Sequence, residues 1–257
     1  MLGRDHALLG AVGYLAVAPV ATHLAGAAMS APELAVGAIT CAGFALLPDL
    51  DEPHSTVSRK LGPLSEAVSH VTNKLSGGHR HATHSLLLVV GVGLACWAGL
   101  AASPWVAGGI VCASLLLALR LVLPLGVGRS GLVLAAACVG ATAWVVHAHD
   151  VRGWLPFAAA AGVLLHLVGD ALTKEGVPLL WPIRRHVAVP ILGHTASVRE
   201  RILAAGLTAC MVLLAWTHFA PAVAHGSEQV AHSHLPSVHL PVVKVPAIPN
   251  VGRLVGR

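Results

Sequence analysis

Histidine and aspartate recur in four short runs of this chain. They are His6, then Pro48-Asp49-Leu50-Asp51, then Gly78-His79-Arg80-His81-Ala82-Thr83-His84-Ser85, and finally His166 with Asp170. Asp49 and Asp51 are two apart, a spacing that in extended chain puts both on one side. Carboxylates so close repel unless a cation sits between them, and a divalent metal supplies that charge. His79 and His84 are five apart and diverge on a regular helix. A turn through Gly77 and Gly78, with Thr83 as helix N-cap, lets them converge. His81 and His84, three apart, form a rival pair on one helical face. His166 and Asp170, four apart, share a face, and Arg80 is a fixed cation suited to an anionic oxygen.

Each run also has a plainer explanation. The two aspartates could be a solvated acidic turn, the His-Arg run an interfacial basic cluster, and His166 with Asp170 a hydrogen-bonded helix pair. Together, however, they form a set of imidazoles and carboxylates suited to zinc, manganese or iron rather than to a thiolate site. Four to seven ligands could hold one ion, or a pair about 3.5–4 Å apart of the kind that hydrolyses phosphoesters. In such a site Arg80 would neutralise phosphoryl charge, and Glu52 or His81 is the reading for proton transfer.

The elements that must position these residues are membrane helices. Of 257 residues, 56% are hydrophobic and only 11% charged, where a soluble domain carries about 25% charge. The mean hydropathy is +0.77. Apolar stretches run over roughly 7–28, 34–48, 85–103, 105–123, 130–148, 155–172 and 202–220. None alternates as barrel strands do. The fold predicted is all-α, a polytopic transmembrane helical bundle of about seven spans with a polar loop over 49–84. A short helix is expected between Leu64 and Leu75. The second stretch is the shortest for a crossing. The first is too long and too little basic at its start for a cleaved signal peptide.

Counting crossings from the N-terminus puts every ligand run at the same ends of the spans. That side also carries 12 of the 16 Lys and Arg, with Arg152 and the distal Lys244, Arg253 and Arg257 on the other. By the positive-inside rule the side bearing the ligands is cytoplasmic, and the C-terminal tail lies outside. The formal charge of +5 reflects this asymmetry, since no basic patch is interleaved with aromatics as nucleic-acid binding requires. The partner implied is the lipid bilayer. Cys41, Cys96, Cys112, Cys138 and Cys210 all fall in apolar stretches and read as reduced packing residues. Two regions follow: residues 1–220, membrane-embedded, and 221–257, rich in Pro and His and expected to be mostly disordered. The tail's His225, His232, His234 and His239 read as a solvated linker, with loose metal binding as the alternative.

In these same runs the chain resembles the YdjM-like family of LexA-regulated inner-membrane proteins, classed as membrane-bound metal-dependent hydrolases. The resemblance covers about residues 1–200. It rests on His6, Leu47-Pro48-Asp49-Leu50-Asp51 with Pro53 and Ser55, and Gly78-His79-Arg80 with Thr83-His84-Ser85. It continues through His166, Asp170 and Thr173 to Gly176-Val177-Pro178-Leu179-Leu180-Trp181-Pro182. It implies that His6, Asp49, Asp51, His79, His84, His166 and Asp170 hold metal, with Arg80 in support. The chain departs from the family at Glu52, commonly His, and at His81, commonly a small residue. A remote likeness to the all-helical zinc-dependent phospholipase C and P1-nuclease group implies phosphoester hydrolysis, and the depth of the site suggests a lipid or lipid-linked substrate, with a soluble one as the alternative. The alternative is a membrane protein without enzymatic activity, whose metal or His–Asp cluster is structural or serves transport.

Overall fold

The computed structural model describes residues 1–60, 62–123, 128–183 and 185–233, without the side chains of 64 and 222–233. Most of the loop 124–129, Arg184 and the tail histidines lie outside the described residues or side chains. Met1–Ala220 form one compact unit and Pro221–Arg257 a second. The described structure is mainly helical, with two isolated β-bridges and no named strand.

Among the described residues nine α-helices follow in order: α1 Gly3–Leu24, α2 Ala31–Phe44, α3 Thr56–Lys60, α4 Pro63–Ser76, α5 Leu86–Ala102, α6 Pro104–Val122, α7 Arg129–Ala148, α8 Leu155–Ala171 and α9 Val198–Ser233. Among the described residues, α1, α6, α7, the segment Ala31–Asp51 and Val198–Pro221 of α9 are long and apolar enough to cross a membrane. The apolar α5 and α8 are shorter, at 17 residues each. The count by length and composition is therefore five, against about seven from the sequence. The short second stretch reaches 21 residues because α2 is prolonged by a 3-10 turn over Pro48–Asp51. The last helix runs past Pro221, where the apolar stretch was read to stop, as far as Ser233.

Helix α2 is the axis of the bundle, packed on α1, α6 and α8. Its start is fixed by a capping box: Ser30 accepts from the Glu33 amide, and Glu33 accepts from the Ser30 amide at 2.8 Å. Its far end is narrow, as close packing in membranes requires. A Cβ on Gly10 of α1 would lie 2.9 Å from Ala45 Cβ, and one on Gly162 of α8 would lie 2.7 Å from Phe44 Cβ. Glycine there brings α1 and α8 against the end of α2, where the first two ligand runs stand.

The segment after α8 folds back over the same end. Val189 donates to the Ala171 carbonyl at 2.7 Å and Leu86, opening α5, donates to Leu179 at 2.9 Å. Gly176 has φ +62° with the Val187 carbonyl 2.5 Å from where a Cβ would stand, so the run Gly176–Pro182 is where this return loop closes. Buried Glu200, near the start of α9, accepts from the Leu2 and Ala196 amides, each at 2.6 Å. That links the starts of α1 and α9. All five cysteines are free, with Cys41, Cys96 and Cys138 buried, Cys112 half-buried and Cys210 exposed.

Candidate metal centre

The four ligand runs meet at one end of the bundle. His6, in the first turn of α1, and His166, near the end of α8, stack at 3.8 Å between ring centroids. Asp170 stands one turn beyond His166, its Oδ1 3.2 Å from His6 Nε2 and its Oδ2 3.7 Å from His166 Nε2. His6, His84 and His166 are wholly buried, and Asp170 almost so.

The two aspartates after α2 do not act as a side-by-side pair. Pro48–Asp51 form a 3-10 turn, not extended chain, and in a 3-10 turn residues two apart point in different directions. Asp49 Oδ1 faces His166 Nε2 at 3.7 Å. Asp51 is buried on the other side, where His79 Nδ1 lies 2.6 Å from its Oδ1, and the Arg80 amide donates to Oδ2 at 3.2 Å. Thr83 also donates to Asp51 Oδ2, which corrects its reading as an N-cap: it lies inside the 3-10 turn Ala82–His84, and Ser85 precedes α5. The turn through Gly77 and Gly78 forms as predicted, with φ of +86° and +113°. Arg80, a non-glycine at φ +58°, holds a conformation such residues rarely adopt.

His84 joins the two halves. Its Nδ1 faces Asp51 Oδ2 at 3.3 Å and its Nε2 faces His166 Nε2 at 3.2 Å. Burial, reinforced by the neighbouring His166, holds the His84 imidazole below its ordinary value against the pull of Asp51. Burial also pulls on His79, but its hydrogen bond to Asp51 and the charges of Asp51 and Asp49 outweigh this and leave it above the ordinary value. His166 Nδ1 donates to the Ala45 carbonyl at 2.8 Å, so in the neutral ring Nε2 carries the lone pair. His84 Nδ1 has only oxygens before it, so its Nε2 does the same. Two lone pairs thus confront each other at 3.2 Å, and both ring nitrogens of buried His6 lack a hydrogen bond. A cation placed between them would accept the lone pairs of His84 Nε2 and His166 Nε2 and one from the His6 ring.

Three ligand groups result: His6, His166 and Asp170; Asp49, His84 and His166; and Asp51, His79 and His84. In each, one donor atom per residue lies within 4.8 Å of the others. The separations of 3.2 to 3.7 Å match the edge of about 3.4 Å expected around a tetrahedral ion with bonds of about 2.1 Å. The donor set therefore fits zinc, with manganese or iron as alternatives. Arg80 reaches in from the rim, Nη2 3.1 Å from Asp170 Oδ2 and Nη1 3.6 Å from Glu175 Oε2. The α-amino group of Met1 donates to Asp170 Oδ1 at 2.6 Å.

Glu52 and His81 are in none of these groups. Glu52 accepts from the His54 amide at 3.2 Å, and His81 Nδ1 lies 2.9 Å from the His79 carbonyl. The pairing of His81 with His84 does not form. Sequence reasoning missed the Ala45 carbonyl, which no side-chain pattern signals. It also missed Asn73, whose Nδ2 donates to the Asp51 carbonyl at 2.7 Å.

Apolar helices around a buried His/Asp cluster of metal-ligand type define a polytopic membrane protein with a candidate metal centre at one end of its bundle. The profile described as YdjM inner membrane protein matches residues 1–128 and 130–227, and the chain belongs to that family. Two curated relatives, each called inner membrane protein YdjM, come from Escherichia coli (strain K12) and Shigella flexneri. Each is 28% identical over 184 residues, 71% of this chain and 63% of the relative. The match thus spans less than two thirds of the relatives' length. No solved structure matches the chain.

Proposed function

We propose that this chain is a membrane-embedded metal-dependent hydrolase acting on a phosphoester at the cytoplasmic face. The observation that carries the reading is the confrontation of His84 Nε2 and His166 Nε2 at 3.2 Å, with the His6 ring stacked on His166 behind. His6, Asp49, Asp51, His79, His84, His166 and Asp170 would hold one or two divalent ions, zinc first. Such an ion supplies Lewis acidity and a water whose pKa falls toward about 7.

The chain's own residues orient this chemistry. The Ala45 carbonyl fixes the His166 tautomer, and Asp51 does the same for His79 and His84, the carboxylate–histidine arrangement that tunes metal ligands. Arg80 Nε is buried without a hydrogen bond, leaving a donor for a phosphoryl oxygen beside the cluster. Neither Glu52 nor His81 is used, because neither side chain is turned toward it.

A second reading has its own support. Arg80 neutralises Asp170, which also faces His6, as in a charge-balanced structural cluster without turnover. Elemental analysis of detergent-purified protein separates the two readings, comparing wild type with Asp49→Ala and His84→Ala at matched folding. Stoichiometric zinc, manganese or iron, with affinity lowered on the order of 10–100-fold or more in each variant, is expected and opens a phosphoester screen. Wild type that takes up no metal after reloading sinks the hydrolase reading, and bound metal without turnover favours the structural one.

A further inference from the structure

Helix α4 exposes an apolar stripe beside a polar one of Glu66, His70 and Lys74. Ser65, Ser69 and Ser76 are buried, while Val68, Val71 and Leu75 are 44%, 58% and 82% exposed. Its 14 residues span about 21 Å, too short to cross a bilayer. A helix of this kind lies at the membrane surface with its apolar side to lipid. The same helix braces the ligand turn through Asn73 on the Asp51 carbonyl.

Between α4, α2 and α6 lies a groove of about 330 Å³, walled by Phe44, Leu47, Leu50, Val68, Ala113 and Leu117. Its two hydroxyls are spent on the backbone, Ser65 Oγ donating to the Ser58 carbonyl at 2.5 Å and Ser114 Oγ to Val111 at 2.8 Å. With both hydroxyl protons engaged and the remaining walls apolar, the groove suits a hydrocarbon. Leu50 stands between Asp49 and Asp51 on one 3-10 turn, so groove and cluster share a wall. The cluster is accessible along its rim, where His79 is 33% exposed and Asp49 and Arg80 16% each. We infer that the groove holds the hydrocarbon chain of an anionic phosphoester lipid, with its headgroup at Asp49 and Arg80. This rests on the hydrolase reading and supplies its substrate class.

A groove of nearly equal volume, about 320 Å³, lies between the first half of α6 and the end of α7, beside Trp105 and His147. It is an internal control. The full chain in phosphatidylcholine nanodiscs is photolabelled with phosphatidic acid carrying a diazirine at the end of one acyl chain. The same chain on phosphatidylcholine is run in parallel. Phosphatidic acid should label the α2/α4/α6 groove at least about fivefold over the control groove, a preference near 1 kcal/mol. The zwitterionic probe should lose that preference. Ala113→Phe and Val68→Phe, each filling the groove from an exposed position, should lower its labelling by a similar factor. Equal labelling of both grooves, or groove labelling unchanged in both variants, overturns the inference. Metal content of the same samples separates it from the hydrolase reading. Selective labelling without metal keeps the lipid site and removes the enzyme, whereas metal with equal labelling removes the lipid site alone.

Discussion

His79 sets the pH behaviour of the cluster, because it is the ligand candidate most open to solvent and the one Asp51 holds above its ordinary value. A raised histidine stabilises the metal-free fold fully below its unfolded value of about 6.5, and that contribution is lost as pH rises through the folded value. Metal binding has the opposite sign, since an ion must displace the His79 proton. Thermal unfolding measured across that range should therefore show the stability that metal-free wild type holds over His79→Gln shrinking with rising pH, against the opposite contribution of the lowered His84, while the shift on adding zinc grows. His79→Gln should flatten the growth of the zinc shift. A zinc-induced shift that shrinks as pH rises would remove His79 from the ligand set. Thr83 makes a related point: its sequence signal was read as helix capping, while its hydroxyl binds the buried Asp51 carboxylate.

Among the elements, the contact of α8 with the end of α2 decides whether His166 reaches the cluster. His166 is aimed by the Ala45 carbonyl, one residue beyond α2, and that aim depends on Gly162 admitting Phe44 and Ala45. Gly162→Ala should force the helices apart, costing about 1–3 kcal/mol as overpacking does, and should release bound metal. Gly140→Ala, on α7 with nothing within 4 Å, should leave both thermal stability and metal content unchanged. Equal behaviour of the two variants would show that the α2–α8 approach does not set the site.

For the whole molecule, the proposed orientation puts the cluster and α4 in the cytoplasm and the α7–α8 connection outside. Single cysteines at exposed Glu66 and Asp150 test this with an impermeant maleimide on intact cells. Asp150→Cys should label directly and Glu66→Cys only after permeabilisation, and the reverse pattern would invert the assignment of sides. The convergence of the ligand runs does not depend on which side is which. It rests on the packing of α1 and α8 against the end of α2, which brings His6, Asp49, His166 and Asp170 together.

Composition and apolar run length by themselves determined an all-helical membrane protein, because only self-satisfied backbone survives in hydrocarbon. Alternation of crossings then placed His6, Asp49, Asp51, His79, His84, His166 and Asp170 at one depth. Tertiary structure alone decided which atoms face one another. Asp49 and Asp51 part because their turn is 3-10 rather than extended, and His81 turns to a backbone carbonyl while His84 turns inward. Glu52 stays with its own loop. Local spacing carries no record of these choices, since each depends on what α1, α5 and α8 bring to the end of α2. The length of the last helix was hidden for a related reason: Pro221 and the polar residues after it end the apolar signal, while the backbone continues as helix to Ser233.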